Sequence, residues 1–518
     1  MEQITWQGLK HIVSDGQIIG VAGLSVSNLA AELLLNLLET YDETGSPKDL
    51  TFIIANDISS LGLEPDLDDF VERGMISRII MSIMTASPKT AEAIRNNELE
   101  AYFLPQGIIA THYRQTNTLQ PGIITKIGLH THVDPRYQGG RINQRTIKDL
   151  VSLVKIQDEI YLHYHLPDVD VAFLRGTYAD EDGNIYVTEE AYLTEAYSIA
   201  LNTKSNHGTI IVQVKSIIKR TKVNPNHVFI PGSLVDYVYV AGASKHHRQL
   251  IQTYYDPVYS GEAPMTQPID LPLPFNTRKT ILRRTAQFLT RGDTISIGFG
   301  INNELSNLLY EEQAEHLVQP IQDIGIFGGF LGSGKHFGMN ADVDFRMRHD
   351  QTWDFIYNGG VSIACLSFAE IDQYGNVNVS YFDQKMNGCG GFIDISQSVQ
   401  RIIFSGQLVA RSQLNIVDGH LEVEHQGTAQ KFVQKVSNID FNAAYAKTLH
   451  QEVFIVTDRA VFELRDEGLT LIEIAPGLNL EQDVIAQMGF RPLITKDVKT
   501  IDPTIYSAQW GLLTQSIQ

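Results

Sequence analysis

The chain has 518 residues, enough for about three or four domains at about 150 residues each. Hydrophobic residues make up 43% and charged residues 19%, the composition of an ordinary globular protein, which excludes disorder, collagen-like repeats and coiled coils. The formal net charge of −20 argues against a nucleic-acid partner, because phosphate binding needs a basic face. Two cysteines are too few for a secreted disulfide framework, and the sequence has neither a signal-like start nor an apolar run of about 18 residues. We therefore expect a cytoplasmic protein without a membrane partner.

Short apolar runs alternate with helical patterns in the first part of the chain. Residues 50–54 predict a buried strand, and Ser27 or Asn28 is the expected cap of a preceding helix. That helix is indicated by leucines at helical spacing: Leu29, Leu33, Leu34, Leu37 and Leu38. Such alternation predicts an α/β fold with parallel sheets covered by helices.

Five prolines within 18 residues indicate an extended linker: Pro257, Pro264, Pro268, Pro272 and Pro274. We therefore predict an N-terminal domain of residues 1–256, a linker of residues 257–277 and a C-terminal domain of residues 278–518.

The two predicted domains resemble each other. Residues 170–185 and 362–377 share an apolar run, an acidic loop and a Gly-Asn turn at a constant offset of 192. A looser match relates residues 15–23 to 292–300, with a register uncertain by one residue. Two copies indicate duplicated, open α/β domains rather than a solenoid. Residues 461–474 predict a hairpin whose turn carries Gly468.

Three metal or nucleotide patterns are incomplete. Residues 329–336 match a phosphate-binding loop until His336 replaces the Ser or Thr that holds magnesium. Gly183 comes two positions too early for a calcium loop that begins at Asp180. The paired histidines at 130/132 and 163/165 lack a third zinc ligand. We therefore predict no metal site.

Glycine-rich loops are concentrated in the second half. Gly298–Asn302 follows a strand-like run and precedes a helical one, the arrangement that directs backbone amides at an anion. Asp323 precedes three glycines within six residues, and residues 387–394 form another glycine loop. Converging backbone amides can form an oxyanion hole, although each loop alone would also suit a tight turn.

At these residues the sequence resembles the family I CoA-transferases, and within them the single-chain acetate or propionate CoA-transferases related to succinyl-CoA:3-oxoacid CoA-transferase. The resemblance spans nearly the whole chain and is carried by six blocks: Leu104-Pro-Gln-Gly107, Val133-Asp-Pro-Arg136, Ile230-Pro-Gly232, residues 366–372, residues 388–394 and Ile474-Ala-Pro-Gly477. It implies two homologous α/β domains in tandem, with the active site at their interface, and a homodimer or homotetramer.

The resemblance also implies a ping-pong reaction through an enzyme acyl-anhydride and an enzyme–CoA thioester. CoA is then a covalently carried substrate, with no permanently bound cofactor. Asp323 stands where the family has its nucleophilic glutamate, and Gln106 would contact the substrate carboxylate. The residues that would meet CoA or supply oxyanion amides are Gly298, Phe299, Gly300, Ile301, Asn302, Gly390 and Gly391. The resemblance gives Cys389 no role.

These implications favour an enzyme that transfers CoA from a short-chain acyl-CoA to a small carboxylate such as acetate. Aspartate reaches about 1.5 Å less far than glutamate, and a misplacement of about 1 Å can cost on the order of 100-fold in rate. Either Asp323 works in an adjusted pocket, or the chain is a catalytically impaired CoA-binding or regulatory homologue. An acyl-CoA hydrolase or another enzyme on the same scaffold is a further alternative.

Overall fold

The structure, a computed structural model, describes residues 2–59, 62–63, 65–117, 119–220, 224–266, 271–332 and 339–517. The chain forms two compact units. Unit 1 comprises Met1–Pro264, Arg346–Asp354 and Lys385–Asp394, and unit 2 comprises Met265–Phe345, Phe355–Gln384 and Ile395–Gln518. The change from one unit to the other after Pro264 falls inside the predicted linker. The sequence had placed residues 346–354 and 385–394 in the C-terminal domain.

The helices and the strands of the two central sheets are as follows. In the described residues the α-helices are α1 Trp6–Leu9, α2 Ala31–Thr44, α3 Leu67–Glu72, α4 Pro88–Arg95, α5 Gln106–Gln115, α6 Ala196–Ser205, α7 Pro257–Ser260, α8 Thr277–Ala286, α9 Leu305–Glu311, α10 His349–Tyr357, α11 Phe392–Ser398, α12 Ala443–Thr448 and α13 Leu513–Ser516. The central strands of unit 1 are β1 Glu2–Gln3, β2 Ile18–Val21, β3 Leu50–Ile54, β4 Ile76–Met81, β5 Glu100–Phe103, β6 Val171–Arg175, β7 Thr209–Val214 and β8 Tyr237–Val240. Those of unit 2 are β9 Thr294–Ile297, β10 Gln319–Gln322, β11 Ile326–Phe327, β12 Ile363–Ser367, β13 Arg401–Gly406, β14 Glu452–Thr457, β15 Ala460–Arg465, β16 Gly468–Ile474 and β17 Leu493–Thr500.

The remaining strands form smaller sheets around the central ones, except Phe345–Arg346, which continues the central sheet of unit 2 beyond β11. Their bounds are Thr116–Asn117, Gln120–Pro121, Ile123–Thr125, Val151–Ile156, Glu159–Tyr164, Tyr178–Asp180, Ile185–Tyr186, Ser216–Ile218, Val228–Ile230, Phe330–Leu331, Asn340–Ala341, Phe345–Arg346, Glu370–Asp372, Val377–Asn378, Tyr381–Phe382, Lys385–Met386, Val409–Ala410, Gln413–Val417, His420–His425, Ala429–Gln430 and Phe432–Val433.

Unit 1 is built on a parallel sheet in the strand order β1-β8-β7-β6-β2-β3-β4-β5. Every residue of β3 is buried, as the continuous apolar run at 50–54 predicts. Leu33 and Leu37 of α2 belong to the same hydrophobic core as Phe52 of β3. The sequence therefore correctly predicts a parallel sheet covered by helices.

Unit 2 has a mixed sheet in the order β11-β10-β9-β12-β13-β14-β15-β16-β17. Its centre, from β10 to β14, is parallel, whereas β11 and β15 each pair antiparallel with their inner neighbours. The fold class predicted from the sequence, two open α/β domains in tandem, is confirmed.

The strand registers repeat between the units. In unit 1, Val171 of β6 pairs with β2 on one side and with Thr209 on the other. In unit 2, Ile363 of β12 pairs with β9 and with Arg401. Val171 and Ile363 are 192 positions apart in the sequence, and so are Thr209 and Arg401, which is the offset read from the sequence. The strand order β3-β2-β6-β7-β8 of unit 1 therefore corresponds to β10-β9-β12-β13-β14 of unit 2. The register of the looser match is also fixed, because the same pairings align Ile18 with Thr294.

A carboxylate-centred turn occurs in both units at the predicted repeat. The Asp180 carboxylate accepts hydrogen bonds from the backbone N–H of Asn184 at 2.9 Å and from its side-chain amide at 2.9 Å. Asp372 accepts the same two bonds from Asn376, at 3.0 and 3.1 Å. Both aspartates are at most 1% exposed. Burial alone would raise the pKa of Asp180, but these donors lower it below its ordinary value.

Two local predictions were wrong. Helix α2 begins at Ala31, so the cap position is held by Ala30, which has no polar side chain; Ser27 and Asn28 lie before it and donate to the Gln249 and Tyr192 carbonyls, respectively. The proposed linker also contains helix α7, where the proline at its first position needs no N–H partner. Pro268 lies outside the described residues.

The C-terminal hairpin is present with a small shift. β15 and β16 are antiparallel, and Arg465 pairs with Gly468, so Gly468 begins the second strand and residues 466–467 form the turn. No helix among the described residues is both long enough and apolar enough to cross a bilayer.

The repeated turn predicts similar stability losses in the two units. Replacing Asp180 or Asp372 with alanine leaves buried donors without an acceptor, and we expect each change to lower the free energy of unfolding by about 2–4 kcal/mol. Denaturant unfolding measures it. Asp182→Ala is the control, because Asp182 is exposed and pairs only with exposed Arg220. Losses below about 1 kcal/mol for both buried aspartates contradict the structural role of this turn.

Candidate active site

Asp323 lies at the carboxyl end of β10, in a turn before β11. The adjacent strand β9 is parallel to β10 and ends at Ile297. Their register, Ser296 opposite Ile321, places Gly298 and Asp323 at equivalent positions just beyond the two strands. The carboxyl edge of an open α/β sheet is where such folds bind ligands. Two sequence-predicted parts of the site, the Gly298–Asn302 loop and Asp323, are thus brought to one edge of unit 2.

Side chains of unit 2 fix the Gly298–Asn302 loop. The N–H of Ile301 donates to Ser367 Oγ at 3.2 Å, at the end of strand β12. Arg278 donates from Nη2 to the Gly300 carbonyl at 2.9 Å and from Nε to Glu304 at 2.8 Å. These hydrogen bonds therefore fix the conformation of the loop. The sequence analysis did not identify Arg278 or Ser367, because neither lies in a glycine pattern.

Gly300 is required by the shape of this loop. Its φ of 111° is in the region that favours glycine, and a Cβ there would lie 2.4 Å from Ser367 Oγ. Phe299, beside it, is 63% exposed. The backbone of the loop therefore passes close to Ser367. The apolar side chain of Phe299 is exposed on the surface of the loop.

Two buried amides at this edge lack partners among the described residues. Asn302 is fully buried and Gln322 is 4% exposed, and neither amide oxygen nor amide nitrogen of either side chain has a hydrogen-bond partner within the described ranges. Gln322 is the last residue of β10 and directly precedes Asp323. Because buried polar groups are nearly always paired in native proteins, such groups indicate a place for a polar ligand. Asn302 was predicted from the sequence, whereas Gln322 was not.

The other predicted residues meet in unit 1. Gln106 is the first residue of α5, and its backbone N–H donates to the Gly390 carbonyl at 3.0 Å. Gly390 in turn donates its N–H to the Ser82 carbonyl at 2.9 Å. Within the described part of the chain, the N–H of Gly391 donates to no backbone carbonyl outside the helices and strands. Of the two glycines, Gly391 is therefore the one with an amide available for a ligand.

The side-chain amide nitrogen of Gln106, Nε2, has two buried neighbours within hydrogen-bond distance. Nε2 lies 2.5 Å from Asn56 Oδ1 and 3.1 Å from His349 Nε2. The oxygen Oε1 is 3.8 Å from the position that a Cβ of Gly390 would take. Sequence patterns gave no indication of Asn56 or His349, which lie far from Gln106 along the chain.

The remaining candidates are simpler. Cys389 is a buried cysteine beside Gly390, and Cys365 lies within β12, where burial raises the pKa of its thiol to about 12. No cluster of three or more potential metal-binding side chains occurs in the described ranges. Residues 333–338, which include the second half of the incomplete phosphate-loop pattern, lie outside the described residues.

Comparisons with known proteins agree on one family. A family model described as Coenzyme A transferase matches residues 8–241. The caffeate CoA-transferase of Acetobacterium woodii is 35% identical over 514 residues, covering 96% of each chain. The acetate CoA-transferase YdiF of Escherichia coli strain K12 is 34% identical over 483 residues, which cover 92% of this chain and 90% of that protein. The crystal structure of acyl-CoA transferase YdiF from E. coli O157:H7, described as a thioester complex with CoA, matches with a TM-score of 0.91 and 31% identity over 98% of this chain and 97% of that one.

The close approach of Gly300 to Ser367 predicts that adding a methyl group at Gly300 lowers activity. We expect Gly300→Ala to lower kcat/KM for an acyl-CoA at least about tenfold, because the loop must shift to relieve the contact with Ser367. Gly292→Ala is the control: Gly292 also has a positive φ, 86°, but a Cβ there meets nothing within 4 Å. Steady-state kinetics and thermal unfolding of both variants check this. Equal losses of activity in the two variants contradict the assignment of the loop to the site.

Proposed function

The chain belongs to the coenzyme A transferase family, and we propose that it transfers CoA from a short-chain acyl-CoA to a small carboxylate such as acetate. One observation carries this proposal: the carboxyl edge of one sheet holds a carboxylate, a glycine loop and two buried amides that have no partner among the described residues. The amides of Asn302 and Gln322 offer both donors and acceptors, which suits the amide-containing arm of CoA.

We propose that Asp323 is the nucleophile of a ping-pong reaction. Its carboxylate attacks the thioester carbonyl of the acyl-CoA and expels the CoA thiolate, giving a mixed anhydride. The thiolate then attacks the aspartyl carbonyl, which forms an enzyme–CoA thioester and releases the first acid. The second carboxylate attacks this thioester and expels the CoA thiolate, giving a second mixed anhydride. The thiolate then attacks the acyl carbonyl of that anhydride, which forms the new acyl-CoA and releases the Asp323 carboxylate.

The other residues have supporting roles in this proposal. Each tetrahedral step places negative charge on an oxygen, and preorganised backbone N–H groups stabilise such charge. The Gly298–Asn302 loop would bind CoA, and Gly391 would donate an N–H to an oxyanion. Gln106 would contact the acyl or acid substrate. The names of the caffeate and acetate transferases support a carboxylic acid as the acceptor and leave its size open.

The covalent step is tested by trapping CoA on the enzyme. After incubation with acyl-CoA, borohydride should convert an aspartyl thioester at residue 323 to homoserine and inactivate the protein. Peptide mass spectrometry locates the change. Asp323→Asn should lose transfer between acetyl-CoA and propionate, whereas Asp344→Asn, an exposed carboxylate of the same unit, should retain it. An unmodified residue 323 after turnover, or full activity of Asp323→Asn, refutes the assignment; net release of free CoA indicates a hydrolase.

Side-chain length gives an independent test. We expect Asp323→Glu to change the rate roughly 100-fold, about 2.7 kcal/mol of barrier, because the carboxylate moves by about one methylene. An increase means that the pocket fits a glutamate, and a decrease means that the turn is adapted to aspartate. A rate within about twofold of the parent contradicts the claim that reach limits the reaction. Single-turnover kinetics with acetyl-CoA measures the effect.

A further inference from the structure

A buried chain of hydrogen bonds ends on Gln106. His349 is the first residue of α10. Its Nδ1 is 2.8 Å from Glu195 Oε2, and its Nε2 is 3.1 Å from Gln106 Nε2. Trp353 donates from Nε1 to the same His349 Nε2 at 3.1 Å. His349, Glu195 and Trp353 are fully buried, and all of these residues belong to unit 1.

The tryptophan fixes the proton positions in this chain. An indole N–H is only a donor, so His349 Nε2 must be an acceptor and carries no proton. The ring proton is therefore on Nδ1, where it donates to the Glu195 carboxylate. This is the arrangement in which a carboxylate selects the tautomer of a histidine and orients its ring.

The tautomer of His349 in turn fixes the amide of Gln106. Amide oxygen and nitrogen are usually hard to distinguish by shape alone, so their assignment depends on their partners. Because His349 Nε2 is an acceptor, the atom of Gln106 that faces it must be the NH2 group. Its second hydrogen is directed to Asn56 Oδ1 at 2.5 Å. Gln106 is thereby left with Oε1, near Gly390, as its only atom available to a ligand.

A purely stabilising role does not account for this choice of residues. Apolar residues of similar volume often stabilise a core at least as well as a buried carboxylate and its hydrogen-bond partner, because the charge must be removed from water. Glu195 and His349 do what an apolar pair cannot: they give the Gln106 amide one orientation.

We propose that Glu195 and His349 are positioning residues of the transferase reaction, which hold the Gln106 side chain with its oxygen toward the substrate. This inference rests on the proposed function, in which Gln106 contacts the substrate. It assigns a role to two residues that do not themselves touch the reacting groups.

The test compares three variants. His349→Leu removes the acceptor, and we expect kcat to fall about 30-fold while the KM for acyl-CoA stays within about twofold, because the amide turns away but the CoA loop is intact. His349→Gln can place its amide oxygen near the position of Nε2 and should restore kcat to within about threefold of the parent. His112→Leu removes another fully buried histidine of unit 1 and should affect thermal stability without this loss of kcat.

A double-mutant cycle separates positioning from general damage. In the Gln106→Ala background, His349→Leu should have no further effect on kcat, because there is no amide left to orient. Nitrogen NMR of the labelled parent should show the proton of His349 on Nδ1, whatever its activity. Multiplicative losses in the cycle, a proton on Nε2, or failure of His349→Gln to restore kcat overturn the inference. A parent that transfers no CoA refutes the proposed function, and with it this role; a parent that transfers CoA but shows multiplicative losses refutes this inference alone.

Discussion

The parallel pairing of β9 with β10 is the constraint on which the candidate site depends. Two parallel strands in register end at the same edge, so the residues that follow them must be neighbours however far apart they are in sequence. This pairing brings the Gly298–Asn302 loop beside Asp323. It also places Gln322 at the end of β10, where its amide is buried without a partner among the described residues. A carboxylate, backbone amides and two buried side-chain amides therefore come together because of strand order.

The duplicated fold uses the corresponding edge in both units. Since Thr51 pairs with Ile18 as Gln319 pairs with Thr294, the position equivalent to Asp323 in unit 1 is Ala55. The residue after Ala55 is Asn56, whose oxygen accepts from Gln106. One copy of the sheet thus has the carboxylate of Asp323 at this position, and the other has, one residue further on, an amide that holds the Gln106 side chain. Duplication supplied the same scaffold twice, and only the residues beyond the strand ends give the two copies different chemistry.

Patterns within short stretches of sequence were sufficient for the fold, whereas the roles of the site residues, which the family resemblance implies, stay predictions. The buried run of β3, the repeat at an offset of 192 and the glycine loops are each visible in a few consecutive residues. The contacts around Gln106 are not, because His349 is 243 positions from Gln106 and 154 from Glu195. The expected cap at Ser27 or Asn28 was wrong because the helix begins only at Ala31; both side chains instead donate to carbonyls that are distant in sequence. A local pattern cannot report a hydrogen bond whose two ends are joined only by folding.

The central claim is that this enzyme carries CoA on Asp323 between two separate half-reactions. The most direct measurement is a single turnover with separated enzyme: incubate with acetyl-CoA, remove all small molecules by gel filtration, add propionate, and quantify propionyl-CoA. The account predicts about one propionyl-CoA per chain from the parent and none from Asp323→Asn. If the separated parent yields no propionyl-CoA, while a mixture of enzyme, acetyl-CoA and propionate does, transfer occurs without a covalent carrier and the account is wrong.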